Sequence, residues 1–95
     1  MPFEKVFPRS FTAMSIRQHA PAMSGVYGLS NARGWIYIGE SGNIQDSLMD
    51  HLLRTNTVIL DKLPTGFVFE VCAHTSRGWR HQRLIVEYAP ACNRQ

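Results

Sequence analysis

What this chain lacks narrows it first. No apolar run approaches the roughly 18 residues of a bilayer span, and the opening MPFEKVFPRS has no apolar centre of the kind a signal peptide carries. There are only two cysteines, Cys72 and Cys92, and they lack paired metal or redox spacing. They are expected as reduced thiols in a cytoplasmic protein. With His74 and His81 they form no finger-like pattern, so no metal site is expected from them. Repeats, low-complexity segments and internal linkers are also missing. Carboxylates run short toward the end: from His74 onward Glu87 alone stands against Arg77, Arg80, Arg83 and Arg94.

What is present suits one small domain. The chain has 95 residues, 44% of them apolar and ten of them aromatic, enough for a folded core and against disorder. Six basic and six acidic residues balance from Met1 to Ala73, so the net charge of +3 sits in the last quarter. Such a localised positive region is a candidate phosphate-binding surface. The alternative is a solvated arginine face on a helix.

The pattern predicts an α+β fold: a small three-stranded antiparallel sheet flanked by helices. Residues 1–24 read as irregular, punctuated by Pro2, Pro8 and Pro21, with Phe3, Phe7 and Phe11 available to pack on the domain formed by residues 25–95. Ser24 to Ser30 and Trp35 to Gly39 read as a hairpin around Asn31-Ala32-Arg33-Gly34, where Gly34 is free to take a positive φ. Ser41 or Asn43 can cap a helix in which Ile44, Leu48 and Leu52 recur at helical spacing. After a connection over 55–65, Phe67 to Ala73 reads as a well-covered strand. Ser76 can cap a last helix to about Tyr88, with Leu84, Ile85 and Tyr88 on one face and Ala89-Pro90 ending it.

Two tripeptides stand out within this frame: Gly25-Val26-Tyr27 and Tyr37-Ile38-Gly39, each in its own strand. Asn43 at a helix start, His51 within that helix and a closing Pro90-Ala91-Cys92-Asn93 follow in order. Together they resemble the GIY-YIG nuclease family over about Ser24 to Asn93. The resemblance implies a sheet on which both tyrosines line a cleft and one serves as, or assists, the general base. It implies an arginine that neutralises the phosphate, a glutamate that holds a divalent cation, and an assisting histidine and asparagine. Tyr27, Tyr37, His51 and Asn93 match, and are the candidate catalytic residues. Ser47 stands where the arginine is expected and His81 where the glutamate is expected. A serine hydroxyl carries no charge and cannot replace a guanidinium fork, and an imidazole suits transition metals better than magnesium.

Neighbours offer only partial substitutes. Arg54 is nearly on the face of Ser47 but about 10 Å further along the helix axis, and Glu40 is the nearest spare carboxylate. The candidate nucleic-acid-binding residues are Arg54, Arg77, Arg80 and Arg83, the last three expected to face solvent. Trp35 and Trp79 are expected as core or cover residues rather than base-stacking platforms. Each matched residue also has a plainer role: strand aromatics for the tyrosines, a surface helix position for His51, a tie for the chain end for Asn93.

Three functions fit these residues. The first is a nuclease-like domain that binds nucleic acid, DNA foremost, weakly and with salt sensitivity, its cleavage lost or severely impaired and no cofactor needed. The second is an active endonuclease with a rearranged site, using magnesium or manganese. The third is a protein-interaction module on a reused nuclease fold. None involves a membrane.

Overall fold

The computed structural model describes Phe3, residues 8–53, Ile59 and residues 62–93. Among the described residues the elements follow in the order β1 (Arg9–Ser10), α1 (Ala13–His19), β2 (Gly25–Asn31), β3 (Gly34–Ser41), α2 (Ile44–Leu53), β4 (Gly66–Val71) and α3 (His74–Tyr88). The sheet is antiparallel in the order β1-β4-β2-β3. It therefore has four strands rather than three. The extra strand, β1, has two residues, paired as Arg9↔Phe67 and Ser10↔Gly66, too few to leave a period-2 pattern.

Residues 1–24 are not wholly irregular either. Thr12 accepts a bond from the Ser15 N–H and starts α1, a seven-residue helix that buries only Ile16. One buried side chain is too little periodicity to announce a helix. Phe11, Ile16 and Ala20 join Leu29, Ile36, Ile44, Leu48 and Phe67 in a cluster on one face of the sheet. On the other face Phe3, Val26, Ile38, Val68 and Leu84 form a second cluster, covered by α3. The sheet is thus buried on both sides, α1 and α2 on one and α3 on the other. Among the described residues, no helix is long and apolar enough to cross a membrane.

The remaining elements follow from local chemistry. Gly34 takes φ +141° in the hairpin turn, a conformation open to glycine and strained for other residues. Asn43 caps α2 by accepting from the Asp46 N–H at 3.0 Å. The Ser76 cap does not form: α3 begins three residues earlier than that cap implies, with Ala73 at its N-cap and no side-chain bond there. Ala89 ends the helix in the left-handed conformation (φ 46°), its N–H bonded to Ile85 O, and Pro90 follows.

β3 is an edge strand, and the C-terminal residues cover its open side. The N–H groups of Ala91 and Cys92 donate to Trp35 O and Ile36 O. Asn93 then continues the ladder with its side chain: Oδ1 accepts from the Ile38 N–H at 2.7 Å and Nδ2 donates to Ile38 O at 2.9 Å. Unpaired strand edges invite association, and this segment satisfies this one.

Candidate functional site

A β-bulge sets the geometry of the cleft. β2 and β3 pair Ser30↔Trp35 and then Leu29↔Tyr37, so Ile36 is an extra residue on β3. In a regular ladder of the same sequence Ile36 would pair with Leu29, and Tyr37 would pair with Gly28 and point toward α3, since paired residues share a face. With Ile36 bulged out of the pairing, Tyr37 joins Leu29 and Tyr27 on the α2 side. The two tyrosine rings lie 6.2 Å apart.

Gly39 makes room for this arrangement. It pairs with Tyr27, and a Cβ at that position would run into the Tyr27 hydroxyl and ring carbons. Gly25 is similarly constrained: a Cβ there would collide with Glu70 O and meet Ile44 Cδ1 at 2.7 Å. The outer glycines of both tripeptides are therefore packing requirements.

His51, in the last turn of α2, completes the cluster. Its ring centroid is 5.6 Å from that of Tyr27 and 5.2 Å from that of Tyr37, and its Nε2 is 2.7 Å from Tyr27 Oη. Burial pushes the Tyr27 phenol far above its ordinary range, with Tyr37 and Asp50 adding to the rise. Burial also lowers the His51 pKa, opposed in part by Asp50. Both shifts favour the neutral forms, so the 2.7 Å contact is a hydrogen bond between a protonated phenol and a neutral imidazole. Tyr37 is raised by burial and, second, by Glu40. The cleft therefore holds two protonated phenols and one neutral imidazole that can accept a proton.

The arginine position is filled by a different local network. Ser47 Oγ donates to Ser41 Oγ at 2.5 Å. Ser41 in turn accepts from the Asn43 N–H at 2.9 Å and donates to Asn43 O at 2.8 Å. The hydroxyl thus braces the start of α2 and presents no charge to the cleft.

The remaining candidates lie outside the tyrosine cluster. Asn93 and His81 meet at the outer edge of β3, where both bond to Ile38 O, His81 through Nε2 at 2.9 Å. Both amide atoms of Asn93 are engaged with Ile38, the chain-tying role open to it from sequence. His81 Nδ1 faces Glu40 Oε2 at 3.3 Å, so both ring nitrogens are taken. Glu40 and Glu70 both pair with Val26 across the sheet and point, with it, toward α3.

Those two carboxylates correct the reading of the arginines. Arg77 Nε lies 3.3 Å from Glu40 Oε1, and its Nη1 donates to Ser24 Oγ at 3.1 Å. Arg80 grips Glu70 with both nitrogens, at 2.7 and 2.8 Å. Arg77 and Arg80 therefore do not face solvent as free cations; they fasten α3 to the sheet. Arg83 does face outward, its guanidinium carbon 5.4 Å from the centre of the Trp79 ring. Trp35 packs between Phe3 and Tyr88 as a cover residue, but Trp79 is 67% exposed and covers nothing. Arg54 lies outside the described residues. An open concavity of 1020 Å³ sits at the hairpin turn, lined by Arg33, Trp35, Lys62 and Tyr88 among others, and none of the four matched residues borders it.

Sequence reasoning missed Glu70, Trp79 and the bulge at Ile36. Glu70 could have been found by noting that it joins Glu40 as a carboxylate within the described strands. Nothing in the spacing marks the bulge.

No family model matches the chain, and no curated protein does. Solved structures do. A tyrosine-to-phenylalanine mutant of the GIY-YIG N-terminal endonuclease domain of UvrC from Thermotoga maritima, bound to the catalytic divalent cation, aligns with a TM-score of 0.70 at 25% identity. The alignment covers 84% of this chain and 96% of that one. A second tyrosine-to-phenylalanine mutant gives 0.70 at 26%, with the same coverage. The magnesium-bound form of that domain gives 0.66 at 26% identity, covering 80% of this chain and 92% of the other. The shared fold, together with Tyr27 and Tyr37 side by side in a cleft capped by His51, makes this chain a member of the GIY-YIG-like family, with a nuclease-like domain.

Proposed function

We propose that the domain binds nucleic acid and that its phosphodiester cleavage is lost or severely impaired. The observation that carries this reading is Ser47, bonded to Ser41 where the resemblance expects a guanidinium. Cleavage places additional negative charge on the phosphoryl oxygens, and a fixed cation aimed at them is worth about 10²–10³ in rate. No described side chain in the tyrosine cleft supplies that charge.

The donor set fits a hard divalent cation poorly. Magnesium favours oxygen ligands and near-octahedral geometry. The expected carboxylate is His81, with both nitrogens engaged, and the nearest carboxylate, Glu40, is already faced by Arg77 and His81. Among the described residues, no three His, Cys, Asp or Glu side chains gather as a metal-holding group. What these residues retain is proton handling: Tyr27 and Tyr37 hold their protons, and neutral His51 is hydrogen-bonded to Tyr27.

Support for binding comes from the fold shared with an endonuclease domain and from the surplus of basic residues after His74. Because Arg77 and Arg80 are matched by acids, the electrostatic contribution is small. Affinity is expected in the roughly 10⁻⁴–10⁻⁶ M range of charge-driven contacts, falling as salt rises.

The test is a pair of assays on the purified chain. Nicking of supercoiled plasmid in magnesium or manganese is expected near background, while labelled DNA or RNA binds at low salt. Strong nicking that disappears in Tyr37→Phe and in Glu40→Ala would instead establish a rearranged active endonuclease. An absence of binding to any nucleic acid at low salt would leave the protein-interaction role in its place.

A further inference from the structure

The outer face of α3 carries a feature that the cleft does not use. Trp79 is 67% exposed and Val86 80% exposed, one turn to either side of Arg83. On the inner side of α3 Leu84 is fully buried, and Arg80 and Arg77 are held by Glu70 and Glu40. Trp79 lies on the outer side, an indole outside both buried clusters. Arg83 is held at its ring, guanidinium carbon 5.4 Å from the centroid. A cation at a ring face is worth about 0.5–1 kcal/mol when exposed, enough to bias the arginine toward one position beside the indole.

We infer that Trp79 and Arg83 form a stacking platform for single-stranded nucleic acid, the indole taking an unpaired base and the guanidinium the phosphate attached to it. This rests on the nucleic-acid reading above and gives it a location. An exposed aromatic with an adjacent cation is the combination that single strands use, because every base has a π-face and every nucleotide one negative charge. A duplex keeps its bases stacked internally and has no free face to offer, so an isolated indole on a convex helix favours the single strand. Charge selects the occupant too. Of the three arginines along α3, Arg83 is the one whose described contact is a neutral ring and not a carboxylate. A phosphate is its natural complement.

The experiment is fluorescence anisotropy with a labelled oligothymidylate and with a blunt duplex of equal length, at low salt. Wild type, Trp79→Ala, Trp79→Phe and Arg83→Ala are compared, with circular dichroism to verify folding. The wild type is expected to bind the single strand more tightly than the duplex. Trp79→Ala is expected to lose about tenfold or more, Arg83→Ala to lose affinity and salt dependence, and Trp79→Phe to retain most binding. Tryptophan emission should be quenched by the oligothymidylate in wild type and far less in Trp79→Phe, where only Trp35 remains. Undiminished binding by folded Trp79→Ala overturns the platform while leaving nucleic-acid binding intact. No binding by the wild type overturns both. A change in self-association of Trp79→Ala on sedimentation, with nucleic-acid affinity unmoved, assigns the face to protein contact and also overturns it.

Discussion

Tyr27 Oη and Nε2 of His51 share a 2.7 Å hydrogen bond, joining the centre of the sheet to the far half of α2. The bond closes one side of the cleft. Protonating His51 would place a charge in a half-buried site, which is why its pKa is lowered.

A pH dependence of stability follows from that bond. The folded ring binds a proton less readily than the unfolded one, whose ordinary value is 6.5. Below that value the unfolded chain holds more protons, so stability declines as pH falls from about 6.5 through the lowered folded value. Above it this contribution is constant. Thermal melts at about pH 5 and pH 8 are expected to show a lower Tm in acid, and His51→Gln should flatten the difference. An identical slope in the variant would assign the acid sensitivity elsewhere.

Restoring the two altered positions should create a cation site. In Ser47→Arg with His81→Glu, the new carboxylate would stand beside Glu40, which now lies 3.3 Å from the His81 ring. Two adjacent carboxylates repel one another until a divalent cation separates them. The double variant is therefore expected to be less stable than wild type in chelator, to gain Tm with magnesium, and to acquire measurable nicking. If magnesium leaves its Tm unchanged, the cleft edge has lost more than two side chains.

Arg80 is predicted to matter for folding rather than for binding. Its side chain is 13% exposed and that of Glu70 18% exposed, with two bonds between them. Arg80→Ala strands a largely buried carboxylate, at a cost of about 2–3 kcal/mol. For a domain of this size that corresponds to a Tm drop of roughly 10 °C or more. Arg83→Ala, which touches only an exposed ring, should change Tm little. Equal effects from the two variants would contradict the assignment.

Gly39→Ala should damage the cleft without touching any polar group. The added methyl meets the buried Tyr27 ring, whose Cζ is 2.5 Å from the new Cβ. Overpacking of this kind costs about 1–3 kcal/mol, and relief requires Tyr27 to swing away from His51. The expected signature is a lower Tm together with a His51 titration returning toward its ordinary value, read by NMR. An unperturbed His51 would mean that the strand, rather than Tyr27, has moved.

Much of this arrangement was legible in the sequence because it rests on local chemistry. Gly34 announced the hairpin turn, Asn43 the start of α2, and Ala89-Pro90 the end of α3. The shared face of the tyrosines is also a local count: Tyr37 lies two residues from Gly39, which pairs with Tyr27, and that count does not cross the bulge at Ile36. What stayed hidden depends on contacts between distant segments. Arg77 and Arg80 looked like a solvent-facing stripe because helical spacing says nothing of Glu40 and Glu70 on the sheet beneath. Trp79 looked like a cover residue because large aromatics usually are. α1 and β1 were too short for any periodicity to register.

The bulge also determines which kinds of sequence change this cleft can absorb. Side chains around it serve the local structure: Ser47, where the resemblance expects an arginine, helps start a helix, and His81, where it expects a glutamate, braces a strand edge. Length is absorbed on the turn side of the cleft. Removing Ile36 would take out the extra residue itself and leave a regular ladder in which Tyr37 still pairs with Leu29, on the side of Tyr27, at the cost of one buried core side chain. Removing Ile38 instead, with Gly39 kept opposite Tyr27, would set Tyr37 against Gly28 and turn it to the side of α3, away from Tyr27 and His51. The cleft is thus written in the two-residue count from Tyr37 to Gly39, and the slack in the strand lies between that count and the turn.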